Sequence, residues 1–358
     1  MACTRCRTKR RRSTSARWLQ RLFGGRLPND AVRAALGATL DIREPRDADD
    51  DARLPPTTPD AVPAPRTAHR RLRRDWWIHS FSQLHRQHAH GAQALAEETP
   101  ADDERPLAFP EAIDPATLRF SGTRFGNALH HALEHADFAA WRDVGDAIPE
   151  GQRTVLVDAL RSQDYTEADD DAGVAALAPL VARTLNAVLP EGVRLADVAP
   201  GARVPELEFH FTLADADAQS LLALLQAHGI APGRRDFGAW PRLAGLMTGK
   251  IDLTYRVDGR VYVVDYKSNR LPAYDDTALA QAMTASEYDL QALLYAVAVH
   301  RWLRMRRGAD YDFARDFGGV RYLFCRGLEG ERGIAAPVFS RALIEDVDAL
   351  LGGIREIA

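Results

Sequence analysis

Hydrophobic and polar positions alternate over residues 250–257, the first half of the segment 250–269, KIDLTYRVDGRVYVVDYKSN. Two segments rich in β-branched and aromatic residues flank Asp258-Gly259. Asp-Gly is a strong two-residue hairpin turn because both central positions favour φ > 0. With these two residues as the loop, Val257 pairs with Arg260. The segment therefore predicts a β-hairpin with a defined register.

The predicted hairpin has two distinct faces, because side chains alternate along a strand. Counting outward from the turn places Asp252 opposite Asp265, and Lys267 falls beside them on the same face. That face also carries Thr254 and Val263. The other face is expected to be core, and it consists of Ile251, Leu253, Tyr255, Tyr262, Val264 and Tyr266.

The facing carboxylates of Asp252 and Asp265 point to a cation. Cross-strand partners have Cβ atoms roughly 5 Å apart, and like charges at that distance repel. Two carboxylates so placed need a cation between them. With Lys267 adjacent, the layout is typical of a metal-dependent phosphodiesterase site. The alternative is a surface hairpin whose Asp–Lys pairs are solvated.

Other stretches show the apolar spacing of helices or the alternation of strands. Helices are predicted at 126–134, 155–161, 174–189, 221–228, 278–304 and 343–354. Strands are predicted at 76–82, at 206–212 and, as the final strand after Gly318-Gly319, at 320–325. Ser82 is expected to cap a short helix that runs through Leu84.

Composition limits the domain organisation and the cellular setting. The chain has 358 residues and is 46% hydrophobic, enough for one large domain or two modest ones. A net charge of −4 does not by itself indicate a nucleic-acid partner. Three scattered cysteines favour a reduced, cytoplasmic setting. No apolar run approaches the ~20 residues of a membrane span, and the start lacks the apolar stretch of a signal peptide.

Residues 1–74 are predicted to be a disordered tail and linker, and 75–358 the folded domain. The first thirty residues are strongly basic and would be weakly attracted to DNA. The stretch 41–65 is rich in Asp, Pro and Ala, a composition that does not bury enough surface to fold. Cys3 and Cys6 form a CxxC pair, but a zinc site needs four ligands and no second pair follows.

Several polar residues outside the hairpin are candidates for a site. His130 and Glu134 stack one turn apart on a predicted helix, although a histidine there is more often a surface or core residue. Glu206 shares a strand face with Glu208 and His210. Gln291 and Tyr295 lie one turn apart on another predicted helix.

Familiar catalytic and nucleotide-binding motifs do not occur. The segment 245–250, GLMTGK, has one residue too few between its glycines for a phosphate-binding loop, and Ile251 replaces the required Ser or Thr. There is no GxSxG, HExxH or GxGxxG motif. Motor and hydrolase classes that depend on these motifs are therefore not indicated.

Five motifs together resemble the C-terminal nuclease domain of RecB, the beta subunit of exodeoxyribonuclease V, in the PD-(D/E)XK nuclease superfamily. They are Gly126-x-x-x-His130, Glu206-Leu-Glu-Phe, Gly249-x-Ile-Asp252-Leu, Asp265-Tyr-Lys267-Ser-Asn and Tyr288-Asp-Leu-Gln291-x-x-x-Tyr295. The segment 317–327 also looks like the strand that follows in that domain. The resemblance covers roughly residues 76–330.

The resemblance implies an α/β fold, a central mixed β-sheet flanked by helices, that cuts DNA with Mg²⁺. His130, Asp252 and Asp265 would then be metal ligands, together with the backbone carbonyl of Tyr266. Lys267 would orient or deprotonate the attacking water. The resemblance gives Gln291 and Tyr295 the task of bracing the site and touching the DNA backbone, and it makes Glu206 a further catalytic acid.

The resemblance also implies an exonuclease that acts in recombinational double-strand-break repair, with DNA, exonuclease V subunits and a recombinase as partners. Two departures qualify it: the helicase part of RecB is missing, and Lys250, expected to lie opposite Lys267, stands where an apolar residue is usual. The three cysteines are too few for an iron–sulfur cluster. The alternative function is a non-catalytic module that docks a recombinase or partner subunits.

Overall fold

A computed structural model describes residues 76–90, 119–145, 147–238, 240–330 and 332–352. The expected tail and linker, 1–74, and the pair Cys3 and Cys6 lie outside the described residues. The end of the predicted helix 343–354 also lies outside them. None of the helices in these ranges is both long and apolar enough to cross a membrane.

One mixed sheet of six strands forms the centre of the fold, as the sequence predicted. Its strands are β1 Trp77–Ser80, β2 Arg203–Asp217, β3 Arg242–Val257, β4 Arg260–Lys267, β5 Phe317–Phe324 and β6 Ile334–Ala335. The order is β1-β3-β4-β5-β6, with β2 also paired to β3. β1 with β3 and β4 with β5 are parallel, and the remaining pairs are antiparallel.

Two strands, β1 and β4, pair with the same edge of the long strand β3. β2 pairs along most of the other edge of β3. On the shared edge, β1 pairs with residues 245–248 and β4 with residues 253–257. Residues 249–252 between them, here called the β3 gap, pair with neither. The two partners therefore leave a gap in the sheet where the predicted site residue Asp252 lies.

Close approach of β1 to β3 depends on a glycine. Gly245 has φ +135°, and a Cβ atom there would lie 1.7 Å from the carbonyl oxygen of Trp77. Any other residue would push β1 away. The segment 245–250 thus lies within a strand, and it is not a phosphate-binding loop.

Helices cover both faces of the sheet. They are α1 Phe81–His90, α2 Gly122–His135, α3 Gln152–Ser162, α4 Asp170–Asn186, α5 Ala218–Ala227, α6 Asp276–Ala285, α7 Tyr288–Arg307, α8 Phe313–Asp316 and α9 Arg341–Leu350. One core joins α2, α3 and α4 to the face of the sheet that carries Val264 and Tyr266. A second core joins α5, α6, α7 and α9 to the face that carries Val263 and Tyr322. The result is three layers, helix–sheet–helix.

The predicted helix 278–304 is wrong as a single helix. It is two helices, α6 and α7, and they are separated at Ser286 and Glu287. Glu287 has φ +52°, a left-handed conformation that no helix interior accommodates. Its carboxylate is held by Arg234 and His85 from other parts of the chain. These tertiary contacts override the helical spacing of the apolar residues.

The predicted single core face of the hairpin is also wrong at Ile251. Ile251 packs in the core with α7, whereas Leu253 packs in the core with α2. Next to them, Glu206 in β2 has φ +53°, while its neighbours keep one register, Leu207 with Ile251 and Pro205 with Leu253. The alternation of β3 thus breaks at Asp252, opposite this residue.

Two smaller expectations differ from the structure. The helix after β1 begins at Phe81, one residue before the expected cap Ser82. Its first turn is capped instead by Ser80, whose hydroxyl oxygen accepts a hydrogen bond from the backbone N–H of Gln83. A short strand, β6, follows β5, so the strand predicted at 320–325 does not end the sheet.

Candidate active site

The β3–β4 hairpin has the predicted register. Asp258 and Gly259 both have positive φ, +50° and +81°. Pairing runs from Val257–Arg260 to Leu253–Val264. Asp252 and Asp265 are therefore the next positions, at the point where the strands part beside the β3 gap.

Asp252 is fixed by the backbone of the facing strand. Its Oδ2 accepts a hydrogen bond of 2.7 Å from the backbone N–H of Tyr266. A carboxylate oxygen thus replaces the carbonyl that would continue the ladder. The arrangement holds Asp252 beside Asp265 with its second oxygen, Oδ1, directed elsewhere.

His130 meets that second oxygen from the helical layer. It lies on α2, whose residues Leu129, Ala132 and Leu133 are buried as the apolar spacing predicted. Its Nδ1 is 3.4 Å from Oδ1 of Asp252. Its ring also contacts the ring of Tyr266 edge-on, at 6.0 Å between centroids. The packing of α2 therefore brings His130 to the carboxylates although it is more than a hundred residues away in sequence.

Asp265 and Lys267 form a buried ion pair. Nζ of Lys267 is 2.7 Å from Oδ2 of Asp265, and the two side chains are only 4% and 3% exposed. The ammonium also lies 4.2 Å from the ring centroid of Tyr288 and 5.5 Å from that of Tyr322. Two aromatic faces and one carboxylate thus hold the lysine in place.

A chain of hydrogen bonds ties α7 to the sheet behind these residues. The hydroxyl of Tyr322 donates to Oε1 of Gln291 at 2.8 Å, and Nε2 of Gln291 donates to the hydroxyl of Tyr295 at 3.1 Å. The Tyr295 hydroxyl donates in turn to the carbonyl of Lys250 in the β3 gap, at 3.1 Å. Tyr295 is buried and Gln291 half-buried. Their roles in bracing the site and in contacting DNA stay predictions.

Glu206 lies on β2 between Pro205 and Leu207, which pair with Leu253 and Ile251 on either side of Asp252. Its carboxylate forms an ion pair with Lys250. The register aligns Lys250 with Glu208, and the β3–β4 pairing ends before it would reach Lys267. The Lys250 side chain is 47% exposed. A lysine is therefore tolerated at position 250 because it extends to solvent beside two acids.

The electrostatics of the site favour added positive charge. Burial raises the pKa of Asp265, the adjacent charge of Asp252 raises it further, and Lys267 opposes both. Burial, followed by the charges of Asp265 and Asp252, also raises the pKa of the Tyr295 hydroxyl. One lysine does not offset two converging carboxylates in this position.

The donor set fits a divalent metal ion. Two carboxylates and one imidazole approach from β3, β4 and α2, although the ligand atoms of these described residues do not all lie within 4.8 Å of one another. Burial is the main cause of the raised pKa of Asp265, and the charge of Asp252, which a bound ion would offset, raises it further. Carboxylate oxygens are the ligands that hard cations prefer. Nucleases of the superfamily that the sequence motifs resemble generally use divalent metal ions, which agrees with the donor set.

Sequence reasoning gave no role to the two rings around Lys267, although Tyr288 begins one of the five motifs. Tyr288 begins α7 next to the helix break, so its position depends on that unforeseen break. Tyr322 was within reach of prediction, because β5 pairs in parallel with β4 and places Tyr322 beside Asp265.

Comparison with known proteins identifies relatives of the chain. A sequence profile of the PD-(D/E)XK nuclease superfamily matches residues 103–355. The RecB subunit of the RecBCD enzyme of Haemophilus influenzae is 30% identical over 282 residues, which is 73% of this chain and 22% of that protein. RecB of Escherichia coli is 38% identical over 183 residues, 48% of this chain and 15% of that protein.

RecB of Mycobacterium tuberculosis strain H37Rv is 33% identical over 324 residues, which is 77% of this chain and 28% of that protein. The chain thus spans less than a third of the length of these relatives.

Proposed function

Because the chain belongs to the PD-(D/E)XK nuclease superfamily, we propose that it is a Mg²⁺-dependent exodeoxyribonuclease of the RecB type that acts in recombinational double-strand-break repair. The observation that supports this best is the convergence of Asp252, Asp265, Lys267 and His130 at the β3 gap. The reaction would be hydrolysis: a water oxygen attacks phosphorus, and the P–O bond to one sugar oxygen breaks.

The metal ion would be held by Asp252, Asp265, the imidazole of His130 and the backbone carbonyl of Tyr266. When bound there, Mg²⁺ would supply positive charge that stabilises the phosphate in the transition state. The buried position of Asp265 and the hydrogen bond from Tyr266 to Asp252 keep both carboxylates in a fixed geometry. Fixed ligands lower the cost of reorganisation during the reaction.

Lys267 would act on the attacking water and on the phosphate. Its ammonium is fixed by Asp265 and by the ring of Tyr288, so it is already in position before a substrate binds. A buried positive charge stabilises a developing negative charge more strongly than an exposed one. Gln291 and Tyr295 would keep α7 in register with the β3 gap, and Glu206 would act from the neighbouring strand.

The partners are inferred from the relatives. Because the matched relatives are RecB subunits of RecBCD enzymes, we infer that the chain acts on DNA together with partner subunits, and with a recombinase, in the cytoplasm. Co-purification of the tagged full chain from its own cells, with and without nuclease treatment to remove DNA, tests this inference.

The decisive experiment compares linear and circular DNA. We expect the full-length chain with Mg²⁺ to release nucleotides from an end-labelled linear duplex, to leave a covalently closed circle intact, and to stop on addition of EDTA. Cleavage of the circle would make the chain an endonuclease. If the wild type cuts neither substrate with Mg²⁺ or Mn²⁺, the non-catalytic docking module is the better explanation.

A further inference from the structure

A second group of metal-binding side chains lies on the last turns of α2. His131, Glu134 and His135 each offer one ligand atom, and these atoms lie within 4.8 Å of one another. The two imidazole rings stack at 4.3 Å between centroids. The Glu134 carboxylate lies beside the ring of His135, 3.7 Å from Nδ1, the ring nitrogen that is not the ligand atom. Such a spacing lets small rotations of the side chains place three ligands around one ion.

The orientation of His135 supports a ligand role. Its Nδ1 is 3.0 Å from the backbone carbonyl of His131. A carbonyl only accepts hydrogen bonds, so Nδ1 carries the proton, and the lone pair of the neutral ring is on Nε2. Histidines that bind metals commonly donate their other ring N–H to a carbonyl or carboxylate in this way.

We propose that His131, Glu134 and His135 form a second metal site, one that takes a borderline transition ion of the Zn²⁺ class. Two imidazoles and one carboxylate suit Zn²⁺, whereas Mg²⁺ prefers oxygen ligands. Three protein ligands leave a coordination position for water. The side chains of His135 and Glu134 are 50% and 33% exposed, which gives an ion access from solvent.

This site is separate from the candidate active site. His130 faces Asp252, and His131 points about 100° further around the helix. A cation here would also lie at the C-terminal end of α2, where the helix dipole favours positive charge. Because the bound cation would join residues one turn apart, it would stabilise the last turn of α2, the helix that carries His130.

Calorimetric titration with Zn²⁺ of the full-length chain, in millimolar Mg²⁺, tests the proposal. Compared with wild type, the double variant His131→Ala/His135→Ala should lose one equivalent of bound Zn²⁺. Each single variant should lower the Zn²⁺ affinity of this site by more than about 10–100-fold, which is the loss typical of a residue that only contacts a ligand. His228→Ala, which removes an exposed histidine at the end of α5, is the matched control and should bind as wild type does.

Asp252→Asn distinguishes the two metal sites. It should retain the Zn²⁺ equivalent that depends on His131 and His135, because it alters only the carboxylate site. Zn²⁺ should also raise the melting temperature of wild type more than that of the double variant, whose own fold is checked by its melt without Zn²⁺. The proposal is overturned if the double variant binds as much Zn²⁺ as wild type, or if Asp252→Asn abolishes the same equivalent.

Discussion

At the scale of single residues, Lys267 and Lys250 have nearly opposite surroundings. Lys267 is buried between the rings of Tyr288 and Tyr322 and paired with Asp265. Lys250 is half-exposed and paired with Glu206. A buried ammonium that is held beside a carboxylate is suited to transition-state stabilisation. An exposed ion pair contributes little to stability.

We therefore expect Lys267→Gln to reduce DNA cleavage by orders of magnitude and to keep the rise in melting temperature that Mg²⁺ produces, because lysine supplies no metal ligand. Lys250→Gln is the matched control and should change cleavage far less. Cleavage rates and melting curves with and without Mg²⁺ measure both effects. If the Mg²⁺-dependent rise disappears in Lys267→Gln, the lysine holds the carboxylates in place and does not act on the substrate.

Asp265→Ala should abolish cleavage and also destabilise the fold. The facing pair alone suggests relief of repulsion with Asp252, but the structure adds a buried lysine that would lose this carboxylate. Breaking a buried ion pair by removing one side costs about 3–5 kcal/mol. Denaturant unfolding should show this loss, and Asp265→Asn should show less of it because the amide oxygen still accepts from Lys267. Retained cleavage in Asp265→Ala would remove this site from the mechanism.

At the scale of elements, the hairpin was predictable and the break between α6 and α7 was not. The hairpin register follows from Asp258-Gly259 and from alternation within a few residues. The break is set at Glu287 by Arg234, 53 residues away, and by His85, 202 residues away. The position of His130 likewise comes from packing of α2 on the sheet. Local patterns therefore predicted most of the elements, and the resemblance to a family linked His130 to the hairpin, but neither predicted the contacts that set the break at Glu287.

The Glu287 cluster predicts a dependence of stability on pH. Burial alone would raise the pKa of Glu287, but hydrogen bonds from His85 and Arg234 outweigh it and lower the pKa to about 2. A lowered pKa stabilises the fold above the unfolded value of 4.5, and this stabilisation is lost as the pH falls from there towards 2. The linked free energy is on the order of 3 kcal/mol.

Glu287→Gln should accordingly destabilise the chain at pH 7, and its difference from wild type should shrink between pH 4.5 and the lowest pH at which the wild type folds. Urea unfolding across that range measures the difference. Glu345→Gln is the matched control, because Glu345 pairs with Arg341 on the exposed side of α9 and should have little effect. If the difference in unfolding free energy between wild type and Glu287→Gln stays constant with pH, the charge of Glu287 does not stabilise the break between α6 and α7.

The connection between α7 and the β3 gap predicts a variant with intact fold and slower catalysis. Tyr295→Phe keeps the ring but removes the hydrogen bond that the hydroxyl donates to the carbonyl of Lys250 and the one that it accepts from Gln291. Each buried hydrogen bond that is lost costs about 1–3 kcal/mol. Cleavage should slow while Mg²⁺ affinity stays close to that of wild type, since no ligand is lost. Unchanged cleavage in a destabilised variant would limit Tyr295 to a structural role.

At the scale of the whole molecule, one sheet separates two cores. Strand β4 contributes Val263 to the core with α7 and Val264 to the core with α2. The candidate site draws on both layers, with His130 from one and Gln291 from the other. A strand that belongs to both cores does not let either core unfold while the other persists. The described part of the chain should therefore unfold cooperatively.

Two matched cavities test this cooperativity. Leu160 on α3 and Leu225 on α5 are fully buried, belong to opposite cores and lie outside the candidate site. Each Leu→Ala change should cost about 2–5 kcal/mol, and the double variant should lose the sum, because the two positions share no neighbours across the sheet. Both singles should shift one calorimetric transition as a whole. A melt that splits into two transitions, with each variant moving only one of them, would show that the layers unfold separately and that the site can lose His130 while β4 stays folded.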